Sequence, residues 1–169
     1  MSILVNTSGV FNELLEEGRR GEVAVKKLLE NRGWLVYDAS ADLEYQLRDI
    51  DLVAEKEGGI RTIEVKTDNL FNTTGNICFE LISNISTGRK GWYYTCDADL
   101  LIIYTTNKFI VIDMKQLKQH GLPDGKISYT RCWENGKYYK ESQIKLVKLT
   151  ALQEMGIVQV IDAMQQYYI

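Results

Sequence analysis

Proline is almost missing from this chain of 169 residues. There is one, against 13 glycines, which leaves no room for a proline-rich linker or a low-complexity tail. Cysteine is scarce too. Cys78, Cys96 and Cys132 are far apart and odd in number, so they fit neither a zinc knuckle nor a disulfide framework. They read as small core residues, and a reducing compartment, the cytoplasm, is the expected location. Long apolar runs are absent as well. The best, residues 100–104, falls far short of the roughly 18–20 residues of a membrane span. The first ten residues carry no basic region before their brief apolar stretch, which makes a poor signal peptide. Nor is there an excess of positive charge. The net charge is −3, and a protein that only coats nucleic acid is usually basic. What remains, 45% hydrophobic and 25% charged, fits one globular domain over residues 1–169.

The apolar spacing predicts a helix over residues 8–31, with Phe11, Leu14, Leu15, Gly18, Val25, Leu28 and Leu29 on one face and Gly33 just past its end. At 100° per residue, Glu22 falls in the middle of that stripe. A carboxylate there is costly unless paired or metal-bound. It either sits at the stripe's edge with an arginine or points toward the strands that follow. Residues 34–37 read as a first strand entering the core, and 38–48 as a loop. Residues 50–68 read as two strands joined at Gly58-Gly59. A loop covers 68–76, a strand 77–83, and a second loop 84–91. Residues 99–104 are apolar on both faces, which suits a central strand, and 109–113 follow as its antiparallel neighbour. A short helix is expected over 114–120. Residues 127–133 and 138 onward flank Asn135-Gly136, a strong hairpin signal, and 144–149 continue the strand pattern. Thr150 and Gln153 form a capping box that opens a helix ended by Gly156, and 158–169 read as a final helix. The class is a mixed α/β sheet with helices on its faces.

Alternation decides which charges meet on the hairpin. Asp51 faces away from Ile50 and Leu52, while Glu64 and Lys66 share a face. Two carboxylates and a lysine therefore lie on neighbouring strands, an arrangement that can hold a divalent cation beside a phosphate. The plainer explanations are an ion pair between Glu64 and Lys66 on a solvated face and a strand-initial Asp51. Asp49 shares a face with Asp51 and either assists it or, the plainer reading, is a solvated turn residue at the strand start, and Glu80 either lines the space beyond Lys66 or, the plainer reading, stands clear of it. Arg89 and Lys90 sit between Gly88 and Gly91 ahead of the aromatics Trp92, Tyr93 and Tyr94. They suit a phosphate-contacting loop, as Arg19, Arg20, Lys26 and Lys27 suit a basic helix edge, although both patterns also serve solubility.

Asp51 within IDLVAE, Glu64-Val65-Lys66 within IEVKTD, and Glu22 on the preceding helix resemble the PD-(D/E)XK nuclease superfamily, with Ile50 where the motif has proline. The likeness covers roughly residues 15–85. It implies a restriction-endonuclease-like mixed sheet with a C-terminal hairpin and helix, and hydrolysis of DNA phosphodiesters. It further implies Mg²⁺ or Mn²⁺ held by Asp51, Glu64, the Val65 carbonyl and Glu22, with Lys66 orienting or deprotonating the attacking water. One histidine, His120, argues against histidine-based nuclease chemistry. Stand-alone domains of this size resemble Holliday-junction resolvases or phage and repair nucleases, which implies branched DNA as substrate. They also imply a homodimer, with the 135–136 hairpin and Tyr138, Tyr139, Tyr167 and Tyr168 as a candidate surface. The competing class is a non-catalytic nucleic-acid-binding or protein-interaction module on the same fold.

Overall fold

A computed structural model gives the fold. It describes residues 7–134 and 137–163, with side chains over 15–131, 138 and 140–163. The chain opens on α1 (Thr7–Glu30) and turns at Gly33, whose φ of 78° is the left-handed stop expected there. It continues through β1 (Leu35–Asp38), α2 (Leu43–Gln46), β2 (Leu52–Lys56), β3 (Gly59–Thr67), α3 (Phe71–Thr74) and β4 (Asn76–Asn84). After β5 (Arg89–Lys90) and α4 (Trp92–Thr95) come β6 (Leu100–Thr105), β7 (Lys108–Asp113) and α5 (Met114–His120). The described chain closes with β8 (Lys126–Glu134), β9 (Lys137–Lys148), α6 (Leu149–Glu154) and β10 (Val158–Asp162). No helix among the described residues is long and apolar enough to cross a membrane.

The mixed α/β class holds, with strands in two sheets rather than one. The first runs β1-β2-β3-β6-β7-β10 and the second β5-β4-β9-β8. β3 and β6 are parallel, while the other pairs in the first sheet are antiparallel. The β3–β6 crossover carries α3, β4, β5 and α4, so the second sheet begins inside it. Strand pairing over such separations leaves no trace in local periodicity.

One face of the first sheet takes α1. Val25 and Leu28 pack on Leu52, Ile63, Ile102 and Phe109. The other face, with Leu101, Ile103, Ile110 and Ile112, meets Ile77 and Phe79 of β4, Val147 of β9, Leu117 of α5 and Leu152 of α6. β6 is therefore covered on both sides, which explains its unbroken apolar run.

Several expectations need correction. Residues 158–162 form a strand, not part of a final helix. β7 offers them a free edge, and Val158, Val160 and Ile161 are β-branched and suit it. α6 starts at Leu149 behind Lys148, with no side-chain cap, so Thr150 and Gln153 make no capping box. β1 is an edge strand whose Leu35 and Tyr37 are exposed, with only Val36 buried. The 38–48 loop contains α2, whose first turn donates the Glu44 N–H to the Asp42 carboxylate. The loops at 68–76 and 84–91 contain α3 and β5. The Asn135-Gly136 turn, Tyr167 and Tyr168, and the Tyr139 side chain lie outside what is described.

Candidate functional site

The site is built where β2 and β3 part. They pair from Lys56↔Gly59 to Leu52↔Ile63, and the Asp51 N–H still reaches the Ile63 carbonyl at 2.9 Å. The chain then turns away, and the Asp51 carbonyl accepts from the Ala39 N–H instead. Beyond that fork the Val65 N–H has no strand on this side. It donates to Asp51 Oδ2 at 2.8 Å. The N–H and C=O of a strand residue point to the same side, so the Val65 carbonyl also opens into the fork. The turn before it is fixed by Asp49, whose φ of 51° is left-handed and whose Oδ2 accepts from the Thr95 hydroxyl at 2.6 Å.

Alternation along β3 sorts the next residues. Val65 and Thr67 face α1, while Glu64 and Lys66 face α4 and the second sheet. Glu64 is 3% exposed and accepts from the Lys66 ammonium, which also lies 5.6 Å from the Trp92 ring centroid. Burial, reinforced by the Asp51 charge and opposed by Lys66, pushes the Glu64 carboxyl up to about 8. Burial works to lower the Lys66 pKa, but Glu64, Asp51 and Asp49 together raise it, so the amine stays an ammonium. Two carboxyls thus meet where β2 and β3 part, and Glu64 is neutral until mildly alkaline pH, a perturbation that functional sites and structural ion-pair networks share.

Glu22 arrives from the other side. It is half-buried, at the edge of the α1 stripe rather than its centre, because Gly21, Val25 and Leu28 take the buried positions. Its pKa is raised by burial and then by Asp51 and Asp38, with Arg19 and Lys66 opposing. Glu22, Asp51, Val65 and Lys66 line one cleft of about 270 Å³. The helix can come this close because residue 21 is glycine. A Cβ there would collide with the Thr67 hydroxyl, which donates to the Glu17 carbonyl. Gly21→Leu should cost about 1–3 kcal/mol by overpacking, measured by urea unfolding. Gly18→Leu, one turn earlier with open space around it, should cost far less.

The remaining candidates lie farther out. Arg19 acts on Glu22 and Asp38, and Lys26 on Asp38, so both flank the cleft. Arg20 pairs with Glu16 on the helix surface. Arg89 and Lys90 are exposed on β5, at the edge of the second sheet, and Glu80 of β4 lines no part of the cleft. Burial raises the Cys78 and Cys96 thiols to about 11, so neither is a thiolate nucleophile at neutral pH. The Cys132 side chain lies outside the described residues. Two contributors were undervalued by sequence reasoning. Asp49 reads as a solvated turn residue, yet it helps keep Lys66 protonated. Trp92 reads as one of an aromatic group, yet it packs on that same lysine. The one sequence cue to Trp92 is its place just after the basic Arg89–Gly91 stretch.

Asp51, Glu22 and Val65 line the cleft and supply hard oxygen donors, and Glu64 meets Asp51 from the other face of β3, with no imidazole or thiolate among them. That set suits Mg²⁺ or Mn²⁺. Among the described residues, no three His, Cys, Asp or Glu side chains are gathered into a ready-made cage.

No protein-family model and no curated protein matches the sequence. Among solved structures, a bacterial homing endonuclease is similar at 19% identity, over 78% of this chain and 76% of that one, with a TM-score of 0.47. At that distance the likeness carries no functional argument.

Proposed function

We propose that the chain is a divalent-metal-dependent endodeoxyribonuclease of the PD-(D/E)XK type. The observation that supports this best is the fork itself. The Asp51 carboxylate holds the Val65 N–H where the strands part, directly beside the ion pair of buried Glu64 with half-buried Lys66. Asp51, Glu64 and the Val65 carbonyl would hold the ion, with Glu22 holding a water across the cleft. When bound, Mg²⁺ or Mn²⁺ would lower the pKa of a water and neutralise phosphate charge. The chain's own residues do the rest. Glu64 would hold the ion as a carboxylate, its proton released to solvent. Lys66, kept cationic, orients the attacking water and faces the charge that builds on the phosphate in the transition state. Its raised pKa favours this role over that of a base. Asp49 and Trp92 position Lys66.

The non-catalytic module stays as a second reading because no three-group cage is preassembled among the described residues. Calorimetric titration with Mn²⁺ separates the two. The nuclease should bind the ion, and Asp51→Ala should lose it. Affinity should also rise about tenfold per pH unit, because binding displaces the Glu64 proton, and should level off above about pH 8. No binding, or binding that survives Asp51→Ala, favours the module. The substrate proposal extends to branched DNA, with a homodimer cutting two strands. A panel of linear, nicked, flap and four-way-junction DNA in Mg²⁺, with sedimentation of the protein, tests both.

A further inference from the structure

The carboxylate cleft has a neighbour of opposite character. A groove of about 470 Å³ lies between the end of β3 and the second sheet. Its volume falls within the roughly 300–1,000 Å³ of small-molecule sites. Ile103 of β6, Ile144 and Leu146 of β9 and the Trp92 side chain give it apolar walls. Lys66 is the one cation among the lining residues and Asp68 the one carboxylate. Asp68 Oδ1 is already taken by the N–H groups of Leu70 and Phe71.

Cleft and groove meet at Lys66 and Thr67, which line both. On one side stand the carboxylates of Glu22 and Asp51, and on the other an apolar slot that contains an indole. A nucleotide has two matching parts. Its phosphate is an anion suited to Lys66 and to a cation in the cleft, and its base is flat with apolar faces. The Lys66 ammonium lies 5.6 Å from the Trp92 ring centroid, so the two parts would be received side by side. A base within a duplex is paired at its edge and covered on both faces, and cannot fill such a groove. A base that is already unpaired enters at the least cost, and an aromatic ring accepts the face of any base.

We infer that this groove is a nucleobase pocket, in which the unpaired base next to the phosphate held at Lys66 lies against Trp92, Ile144 and Leu146. This rests on the nuclease reading for the phosphate at Lys66. It narrows the substrate to DNA with an unpaired nucleotide at the cut. Thr130 of β8, exposed in the groove lining, supplies a hydroxyl for the polar edge of the base.

The test uses the full chain in EDTA and two labelled probes of equal length and charge. One is a single-stranded oligothymidylate, the other its abasic counterpart, which keeps only the sugar–phosphate backbone. By fluorescence anisotropy the oligothymidylate should bind at least about tenfold more tightly. Cys78 reports on the groove itself, because its free thiol is half-buried in the lining. With the protein bound to the same extent by each probe, the oligothymidylate should slow maleimide alkylation of Cys78 by at least about fivefold, and the abasic probe by no more than about twofold. Peptide mass spectrometry identifies the alkylated cysteine. Ile144→Ala/Leu146→Ala should reduce the preference for the base-bearing probe by about fivefold or more and leave the abasic affinity unchanged. Both side chains are half-buried, so Cys78 protection in the wild type decides the matter if that variant does not fold. Equal affinity for the two probes, equal Cys78 alkylation with both, or no measurable binding would overturn the inference. Metal-dependent cleavage is read separately. Cutting without a base preference removes the pocket and leaves the nuclease, while base preference without cutting does the reverse.

Discussion

Glu64→Gln is expected to remove cleavage and, at alkaline pH, to make the protein more stable. The two effects have one origin. Glu64 is 3% exposed with Asp51 beside it, and its pKa is raised from 4.5 to about 8. The fold therefore favours the neutral carboxyl. Below pH 4.5 folded and unfolded chains are both protonated there, and the residue contributes fully. As pH rises toward 8, the unfolded chain ionises freely while the folded chain resists, so stability is lost across that window. Glutamine has no proton to lose. The variant should gain about 2 kcal/mol over the wild type at pH 9, a value discounted for the Lys66 pairing, and almost nothing at pH 4. Thermal unfolding at the two pH values checks this. The same change removes a ligand and should lower metal-dependent cleavage by roughly a thousandfold. A stabilised, inactive variant is the expected outcome for a residue kept for chemistry at the fold's expense. Equal destabilisation at both pH values would show instead that Glu64 serves as a structural ion-pair partner.

Lys66→Ala should lower the cleavage rate by about 10²–10⁴-fold while leaving Mn²⁺ binding in place. The amine donates to Glu64, lies against Trp92 and lines both the carboxylate cleft and a groove between β3 and the second sheet. Thr67 also lines both spaces, and of the two only Lys66 carries a charge. Removing it frees Glu64 of a competing cation, so metal affinity should hold or rise slightly. A parallel loss of metal binding and cleavage would mean that Lys66 only holds Glu64 in place. Single-turnover rates and calorimetry on the same preparation decide between these.

The cleft was legible in the sequence because its geometry is local. Asp51 and Glu64 lie on one hairpin whose alternation and Gly58-Gly59 turn fix their register. Glu22 sits on a helix whose stripe can be drawn from spacing alone. The stripe's centre was misplaced because Gly21 gives no hydropathy signal, although it is the point of closest approach to β3. Residues 158–162 were misread for a different reason. Their amphipathic spacing fits a helix, but the open edge of β7 offers main-chain partners that a local pattern cannot register. The second sheet was hidden because β4 pairs with β9 across the whole of β5 to β8, Ile82 opposite Gln143 and Asn76 opposite Lys148. Its consequence, a wall of Thr130, Ile144 and Leu146 across the groove from Lys66, follows only once β8 and β9 stand beside the β3 end of the first sheet. Asp49 was undervalued because its influence on Lys66 depends on a left-handed turn and a bond to Thr95.

One measurement tests the central claim most directly: single-turnover cleavage of end-labelled duplex and four-way-junction DNA by the wild type and Lys66→Ala, in Mg²⁺ and in EDTA. A nuclease site at Asp51, Glu64 and Lys66 predicts cutting of at least one substrate by the wild type in Mg²⁺ alone and by neither protein in EDTA, with Lys66→Ala slower by at least about a hundredfold. Cutting that persists in EDTA, cutting equally fast by Lys66→Ala, or no cutting of any substrate would contradict it.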